Sequence, residues 1–394
     1  MSRPAGRILI WAGAGGQDGA GPGPANSGAA GAGTAQTGPM DLGSLGWDGG
    51  FADQFAPWAA GGHRSARVTA AHRGGYLVAT EHGELLAQAT GRLRHLAGPS
   101  VAGLPAVGDW VALRDARIHA VLPRRTAVTR RQPGTGAGEQ VLAANVDLVV
   151  AVVAPGRDAN PRRVERLLAL AWESGAQPLV VLGRADLCPE WGTDVDTEVA
   201  ALAAVAPGVD VLALSCFTGE GVDDVATRLR PGRTAVLLGS SGVGKSTLVN
   251  RLAGRDLLAT GEVRDDGRGR HTTTTRQLVA LAGGGLVIDT PGLRELGLWT
   301  GGAGTAAAFG DVEALAAGCR FDDCRHRAEP GCAVMEAVER GELAADRFAA
   351  WEKLQRELAW AERRADPLAA AERRRHIRAM TKSLRAHELH RGRD

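Results

Sequence analysis

The sequence predicts a multidomain α/β chain. It has a small N-terminal β-barrel of the OB type, a parallel-sheet domain with a phosphate-binding loop, and a C-terminal helical module built around a metal. Three observations carry this. Five short β-like runs follow one another from Arg67. Apolar strands alternate with helical stretches from Val146, with "GSSGVGKST" among them. Three cysteines and a histidine crowd together between Cys319 and Cys332. The pattern divides the chain into a Gly/Ala-rich tail (1–39), an N-terminal segment with the barrel (40–130), the phosphate-binding domain (131–302) and a metal-binding, basic helical domain (303–394).

Composition narrows the classes. The 394 residues, 44% of them apolar, leave room for two or three domains, and a net charge of +2 leaves nucleic-acid binding to local patches. Arginine is abundant and lysine scarce, so an arginine count alone identifies no such patch. Five cysteines, three of them clustered, do not resemble a secreted disulfide framework. No apolar run approaches the roughly 18 residues of a membrane span, and "RILIWAGAG" has too short an apolar core for a signal peptide. A soluble, cytoplasmic, monomeric protein without a membrane partner is expected. Residues 1–39 hold little to bury and read either as a disordered tail or as sequence upstream of a true start at Met40.

The runs "RVTAAH", "GYLVAT", "ELLAQATGRLR", "VGDWVAL" and "RIHAVL" are broken by Gly, Asp and Pro, the pattern of a small barrel. Such a barrel either binds nucleic acid or serves as a packing module. Arg124, Arg125, Arg130 and Arg131 at its end favour RNA, and "RRQPGTGAGEQ" reads as a linker. Further on, "VDLVVAVVA", "PLVVLGRADL" and "DVLALSC" each precede a helical stretch, as in a parallel sheet covered on both faces. "QLVALAGGGLVIDTPG" adds a β-hairpin.

The segment Gly239 to Thr247 fits G-x-x-x-x-G-K-[ST] and lies between a strand and a helix, the context that motif requires. Gly239, Gly242 and Gly244 let backbone N–H groups of Ser240, Ser241 and Val243 turn toward phosphate oxygens. The helix start adds its positive dipole end. Lys245 is expected to reach the β- and γ-phosphates, and Ser246 to ligate Mg²⁺. Downstream, "VIDTPG" places Asp289 at a strand end, where it holds the magnesium through water, and Gly292 where its N–H meets the γ-phosphate. The intervening "GRGRHTTTTRQ" has the place of a switch loop, with Thr273 or Thr274 completing the metal shell.

A phosphate loop alone does not choose a base. Guanine presents two adjacent donors that one carboxylate accepts as a pair; adenine would leave that carboxylate unpaired, a penalty of several kcal/mol. Asp186, in "LGRADL", follows a parallel strand at the carboxyl edge where α/β sheets bind ligands. Gly183, Arg184 and Ala185 form the rest of that loop. "SCFTGEG" follows the next strand, with N–H groups around Ser215 and Cys216 as donors to guanine O6. The order base loops, phosphate loop, switch, "DTPG" is that of a circularly permuted P-loop GTPase domain, a rearrangement tolerated where termini lie close together.

Cys319, Cys324, His326 and Cys332 form a C-x₄-C-x-H-x₅-C array. Three thiols and an imidazole suit a closed tetrahedral Zn²⁺ site, structural because no position is left open for water. The tail beyond reads as two helices interrupted at Asp366-Pro367. One apolar stripe is Trp351, Leu354 and Leu358; the second, Ile377, Met380 and Leu384, is ringed by Arg373, Arg374, Arg375, Arg378, Lys382 and Arg385. That second helix suits RNA phosphates or is a solvated helix.

In this order, and in "GRGRHTTTTRQL", "DTPGLRE" and "CRFDDCRHRAEPGCAV", the chain resembles the ribosome small subunit-dependent GTPase A (RsgA, YjeQ) family from Met40 to the C-terminus. The resemblance implies a cytoplasmic bacterial GTPase that binds the small ribosomal subunit and its rRNA during late maturation, hydrolysing GTP to GDP slowly alone and faster with the subunit. Family members carry Asn-Lys or Thr-Lys where this chain has Gly183-Arg184, so the strut an Asn makes to the phosphate loop is missing. Arg184 retains a stem and guanidinium to lay over the base. Leu293 stands where many GTPases carry a water-orienting Gln, which leaves His271 as the candidate to orient or deprotonate water, or merely to contact phosphate. The rival readings are an RNA-binding scaffold stabilised by nucleotide with negligible turnover, and a P-loop ATPase or kinase.

Overall fold

One bent strand closes the barrel. β1 (Arg64–His72) buries Ala66 through Ala70 because it is shared, running antiparallel to β2 (Gly75–Thr80) and, at its start, to β4 (Trp110–Arg114). Thr69 is the extra residue of a register shift between Val68 and Ala70, and such a bulge bends a strand enough to let it serve two neighbours. β3 (Gly83–Ala89) pairs with β2 and, in parallel, with β5 (Arg117–Val121), which returns antiparallel to β4. The closed order β1-β2-β3-β5-β4-β1 is the five-stranded barrel predicted. Its interior is filled by aliphatic residues, among them Ala66, Val68, Val78, Ala87, Val111 and Ile118. The computed structural model describes residues 40–72, 74–97, 101–131, 139–258, 276–289, 302–327 and 329–365. The tail 1–39, His271, Thr273, Thr274, Gly292, Leu293 and the basic helix expected after Asp366 lie outside the described residues.

Two local expectations are corrected. "ELLAQATGRLR" is a strand followed by a helix, because the Thr90 hydroxyl accepts the Leu93 N–H at 3.2 Å and starts a turn. Ahead of the barrel, helix α1 (Gly49–Ala60) is capped by Asp48; α2 (Gly91–Ala97) is the helix after β3. The ends of the expected linker are strands β6 (Ala127–Arg131) and β7 (Glu139–Ala144), paired antiparallel. Two of the arginines assigned to RNA are structural. Arg124 makes a bidentate pair with the fully buried Asp109, at 2.7 Å on both arms, and also donates to the Ala102 and Leu104 carbonyls. Arg125 pairs with Asp48 and lies 3.9 Å over the Phe51 ring. That pairing, chiefly its hydrogen bond, holds the Asp48 carboxyl down at about 2.

The second sheet is parallel where its strands read as unbroken apolar runs. β8 (Leu148–Val153), β9 (Gln177–Leu182), β10 (Val211–Ala213), β11 (Thr234–Leu238) and β13 (Leu286–Asp289) run parallel in the spatial order β10-β9-β8-β11-β13, and β12 (Gln277–Ala280) closes the edge antiparallel to β13. Helices α3 (Pro161–Glu173), α4 (Val195–Ala204), α5 (Val222–Arg228) and α6 (Lys245–Ala253) connect and cover the strands. Asn160 caps α3 and Pro161 opens it, the N-terminal signature the sequence carries there.

Barrel and sheet are continuous: β12 pairs with β1 at Ala70↔Gln277. Beside that junction Arg67, 1% exposed, donates to the carbonyls of Leu45, Gly108 and Asn145 and, at 2.9 Å, to the Thr234 hydroxyl. The C-terminal part comprises α7 (Gly302–Ala308), α8 (Gly310–Ala316), α9 (Ala333–Glu339) and α10 (Ala345–Ala365). Arg347 on α10 lies 4.4 Å over Phe309, pairs with Glu165 of α3 at 2.8 Å and with Asp311 of α8 at 2.9 Å, and so locks this part onto the sheet domain.

Candidate nucleotide site and metal centre

The phosphate loop joins β11 to α6. Gly239 has φ +147°, and a Cβ there would lie 2.1 Å from the Val152 carbonyl oxygen, so only glycine lets the loop leave the strand against β8. Gly242 and Gly244 are also left-handed, at φ +83° and +98°. The Lys245 ammonium donates to the carbonyls of Gly239, at 2.8 Å, and Ser240, which keeps it inside the loop. Ser246 and Thr247 follow on the first turn of α6. Asp289 ends β13, the parallel neighbour of β11, so it stands beside the strand that delivers the loop. Arg163, read only as part of a helix, reaches the same loop. Its guanidinium pairs with Asp158 and donates to the Ser240 hydroxyl at 2.6 Å.

The base loops meet the phosphate loop across a cavity of about 480 Å³. Asp186, Leu187, Cys216 and Phe217 border it on one side, Gly242, Gly244 and Thr247 on the other. Gly183 donates to the Val153 carbonyl at 2.7 Å, and Ala185 to the Leu214 carbonyl at 3.0 Å, which fixes their loop to both neighbouring strands. Arg184 adopts φ +55° and donates to the Gly242 carbonyl at 3.3 Å. The strut that Gly183 lacks is therefore made by its neighbour. Ser215 takes a different place from the one expected. It is 1% exposed, its N–H goes to the Glu220 carbonyl at 3.0 Å, and its hydroxyl accepts the N–H groups of Phe217 and Thr218. It organises the loop from beneath, while Cys216 is the member that borders the cavity, its thiol pushed up by burial.

In the cysteine cluster, the ligand atoms of Cys319, Cys324, His326 and Cys332 all lie within 4.8 Å of one another. His326 Nδ1 is 3.5 Å from Cys319 Sγ and 3.4 Å from Cys332 Sγ, and those two sulfurs are 4.0 Å apart. A tetrahedron with zinc–ligand bonds of roughly 2.0–2.3 Å has edges of about 3.5–3.8 Å, so the donor set fits that ion. His326 sits at φ +55°, and its ring packs against Trp351 at 5.5 Å. Cys332 caps α9, accepting the Met335 N–H.

A glycine-rich phosphate loop, a carboxylate just beyond an earlier strand of the same sheet that borders the same cavity, and a barrel in front define a P-loop nucleotide-binding protein of circularly permuted order. The chain belongs to the RsgA GTPase family, whose model matches residues 121–299. It is 48% identical to the "Small ribosomal subunit biogenesis GTPase RsgA" of Opitutus terrae, over 90% of this chain and all of that one. It is 47% identical to the protein of that name from Streptomyces avermitilis, over 79% of this chain and 84% of that one. Among solved structures it resembles YjeQ from Thermotoga maritima, at a TM-score of 0.55 and 29% identity, covering 75% of this chain and 99% of that one. YloQ, described as a circularly permuted GTPase, shares the fold at a TM-score of 0.52.

Proposed function

We propose that this protein is a GTPase that binds the small ribosomal subunit and its rRNA and assists late maturation of that subunit, hydrolysing GTP to GDP and phosphate with stimulation by the subunit. The observation that carries the reading is the single cavity bordered by both Asp186 and the phosphate loop. Asp186 accepts the paired N1–H and amine of guanine, and the Cys216 N–H meets O6. The loop amides from Ser240 to Gly244 surround the phosphates, and Lys245 moves from loop carbonyls to phosphate oxygens when these arrive. Ser246, Asp289 and one of Thr273 or Thr274 hold Mg²⁺, which when bound neutralises charge on the β- and γ-phosphates. Gly292 contacts the γ-phosphate and His271 orients the attacking water. Cys319, Cys324, His326 and Cys332 hold one structural Zn²⁺.

The domains act as first divided, with the barrel and basic tail gripping the particle while GTP orders the switch loop, and the protein works as a cytoplasmic monomer. Among the described residues no helix is long and apolar enough to cross a membrane. The deciding measurement is GTP turnover with and without small subunits. Stimulation is expected, abolished by Lys245→Ala, and Asp186→Asn is expected to weaken GTP relative to ATP. Equal slow rates with and without subunits would sink the reading in favour of the scaffold.

A further inference from the structure

Resting on the GTPase reading, we propose that Phe217 is the stacking platform for the nucleobase, supplying affinity for the purine ring while Asp186 supplies the choice of guanine. At 89% exposure Phe217 is the most exposed of the large apolar side chains in the described residues, yet its backbone is tightly held. The buried Ser215 hydroxyl accepts its N–H at 3.2 Å and that of Thr218 at 3.1 Å, and the Gly219 N–H closes the turn onto the Ser215 carbonyl at 2.9 Å. A fixed loop therefore displays the ring outward instead of letting it fold onto the core, where apolar surface would ordinarily go. The place of display is the rim of the 480 Å³ cavity that holds Asp186.

A base bound edge-on to Asp186 leaves its two faces to be covered. Arg184, anchored on Gly242, borders the same cavity and brings a planar cation; Phe217 brings an aromatic face. Stacking on a phenyl ring is indifferent to the groups on the base edge, because every purine has a π face. Phe217 thus contributes binding without selectivity.

The test measures GDP and IDP affinity of the full-length chain by titration. Phe217→Ala is expected to weaken GDP by about 5- to 150-fold, the equivalent of one lost base stack. IDP should weaken by the same factor, leaving the GDP-to-IDP ratio unchanged, and Phe217→Tyr should restore both. Asp186→Asn, in contrast, should change the ratio. GDP affinity within twofold of wild type in Phe217→Ala overturns the proposal. So does a loss of GDP affinity that comes with a lower melting temperature, which would make the ring structural. Unchanged GDP affinity with lost stimulation by small subunits also overturns it, since the ring would then meet the particle. Wild-type protein that binds neither nucleotide would instead remove the underlying GTPase reading, an outcome visible before any variant is made.

Discussion

Arg67 is a charge placed where charges are expensive, and the protein uses it to fasten four segments at one point. Burial brings its pKa down to about 10, a fall that the charges of Asp147 and Asp109 limit, so the guanidinium stays ionised at neutral pH. Its partners come from the N-terminal segment (Leu45), the barrel (Gly108), the segment leading into the sheet (Asn145) and β11 (Thr234). Arg67→Met keeps the stem and removes the donors, leaving buried carbonyl oxygens short of partners at about 1–3 kcal/mol for each group not rescued by water. We expect a loss of about 2–4 kcal/mol in urea unfolding; a loss below about 1 kcal/mol would mean the junction does not depend on this residue. None of this was legible in the sequence. "RVTAAH" marks a strand, but Arg67 carries the same letter as the solvated arginines, and its Thr234 partner lies 167 positions away. Arg124 and Arg125 misled for the same reason. Asp186 and Lys245, by contrast, were legible because their chemistry demands fixed neighbours in sequence, and Phe217 was quoted within "SCFTGEG" without its exposure being visible.

The elements divide along the same line. Parallel strands and the phosphate loop announce themselves through local pattern, since each needs particular residues at particular spacings. The β6–β7 hairpin did not, because the strand ends that adjoin "QPGTGAG" are polar (Arg130, Arg131, Glu139, Gln140) and read with it as one linker. The connection between α8 and α9 is the element most in need of help. It contains Cys319, Cys324 and His326, ends at Cys332, and has no helix or strand among its described residues. A metal bound there would contribute its affinity as folding energy for that segment. Stripping the protein with a chelator, or substituting Cys324→Ser, is expected to remove one zinc per chain by elemental analysis. Limited proteolysis should then cut between α8 and α9. Because α10 is fastened to α3 through Arg347, GDP binding should survive that treatment. Unchanged protease resistance after complete metal removal would show that packing alone holds the segment.

At the scale of the whole molecule, the nucleotide domain is gripped from two sides. The barrel is joined through β1–β12 and Arg67, and the C-terminal helices through Arg347. β12 begins at Gln277, the last residue of "GRGRHTTTTRQ", so the barrel is joined to the strand that begins where that segment ends. Sequence order revealed the three parts but not how they dock, because docking rests on pairs such as Glu165 and Arg347, 182 positions apart. The two acids on Arg347 differ. Burial pushes the Glu165 carboxyl up despite the arginine, whereas at the more open Asp311 burial is outweighed by the hydrogen bonds and charge of Arg347, and the carboxyl goes down. Arg347→Met would leave Glu165 buried with no cation, a change that typically costs about 3–5 kcal/mol. A carboxyl whose folded pKa is raised binds more protons folded than unfolded, so its penalty grows as pH rises above the unfolded value. The variant is therefore expected to come closest to wild-type stability near the acid end of its range and to fall behind toward neutrality. Adding Glu165→Gln should recover part of the loss and flatten that pH dependence. Denaturant unfolding of the two single variants and the double across pH measures this directly, and additive losses with no pH trend would mean that the two groups do not act as a pair.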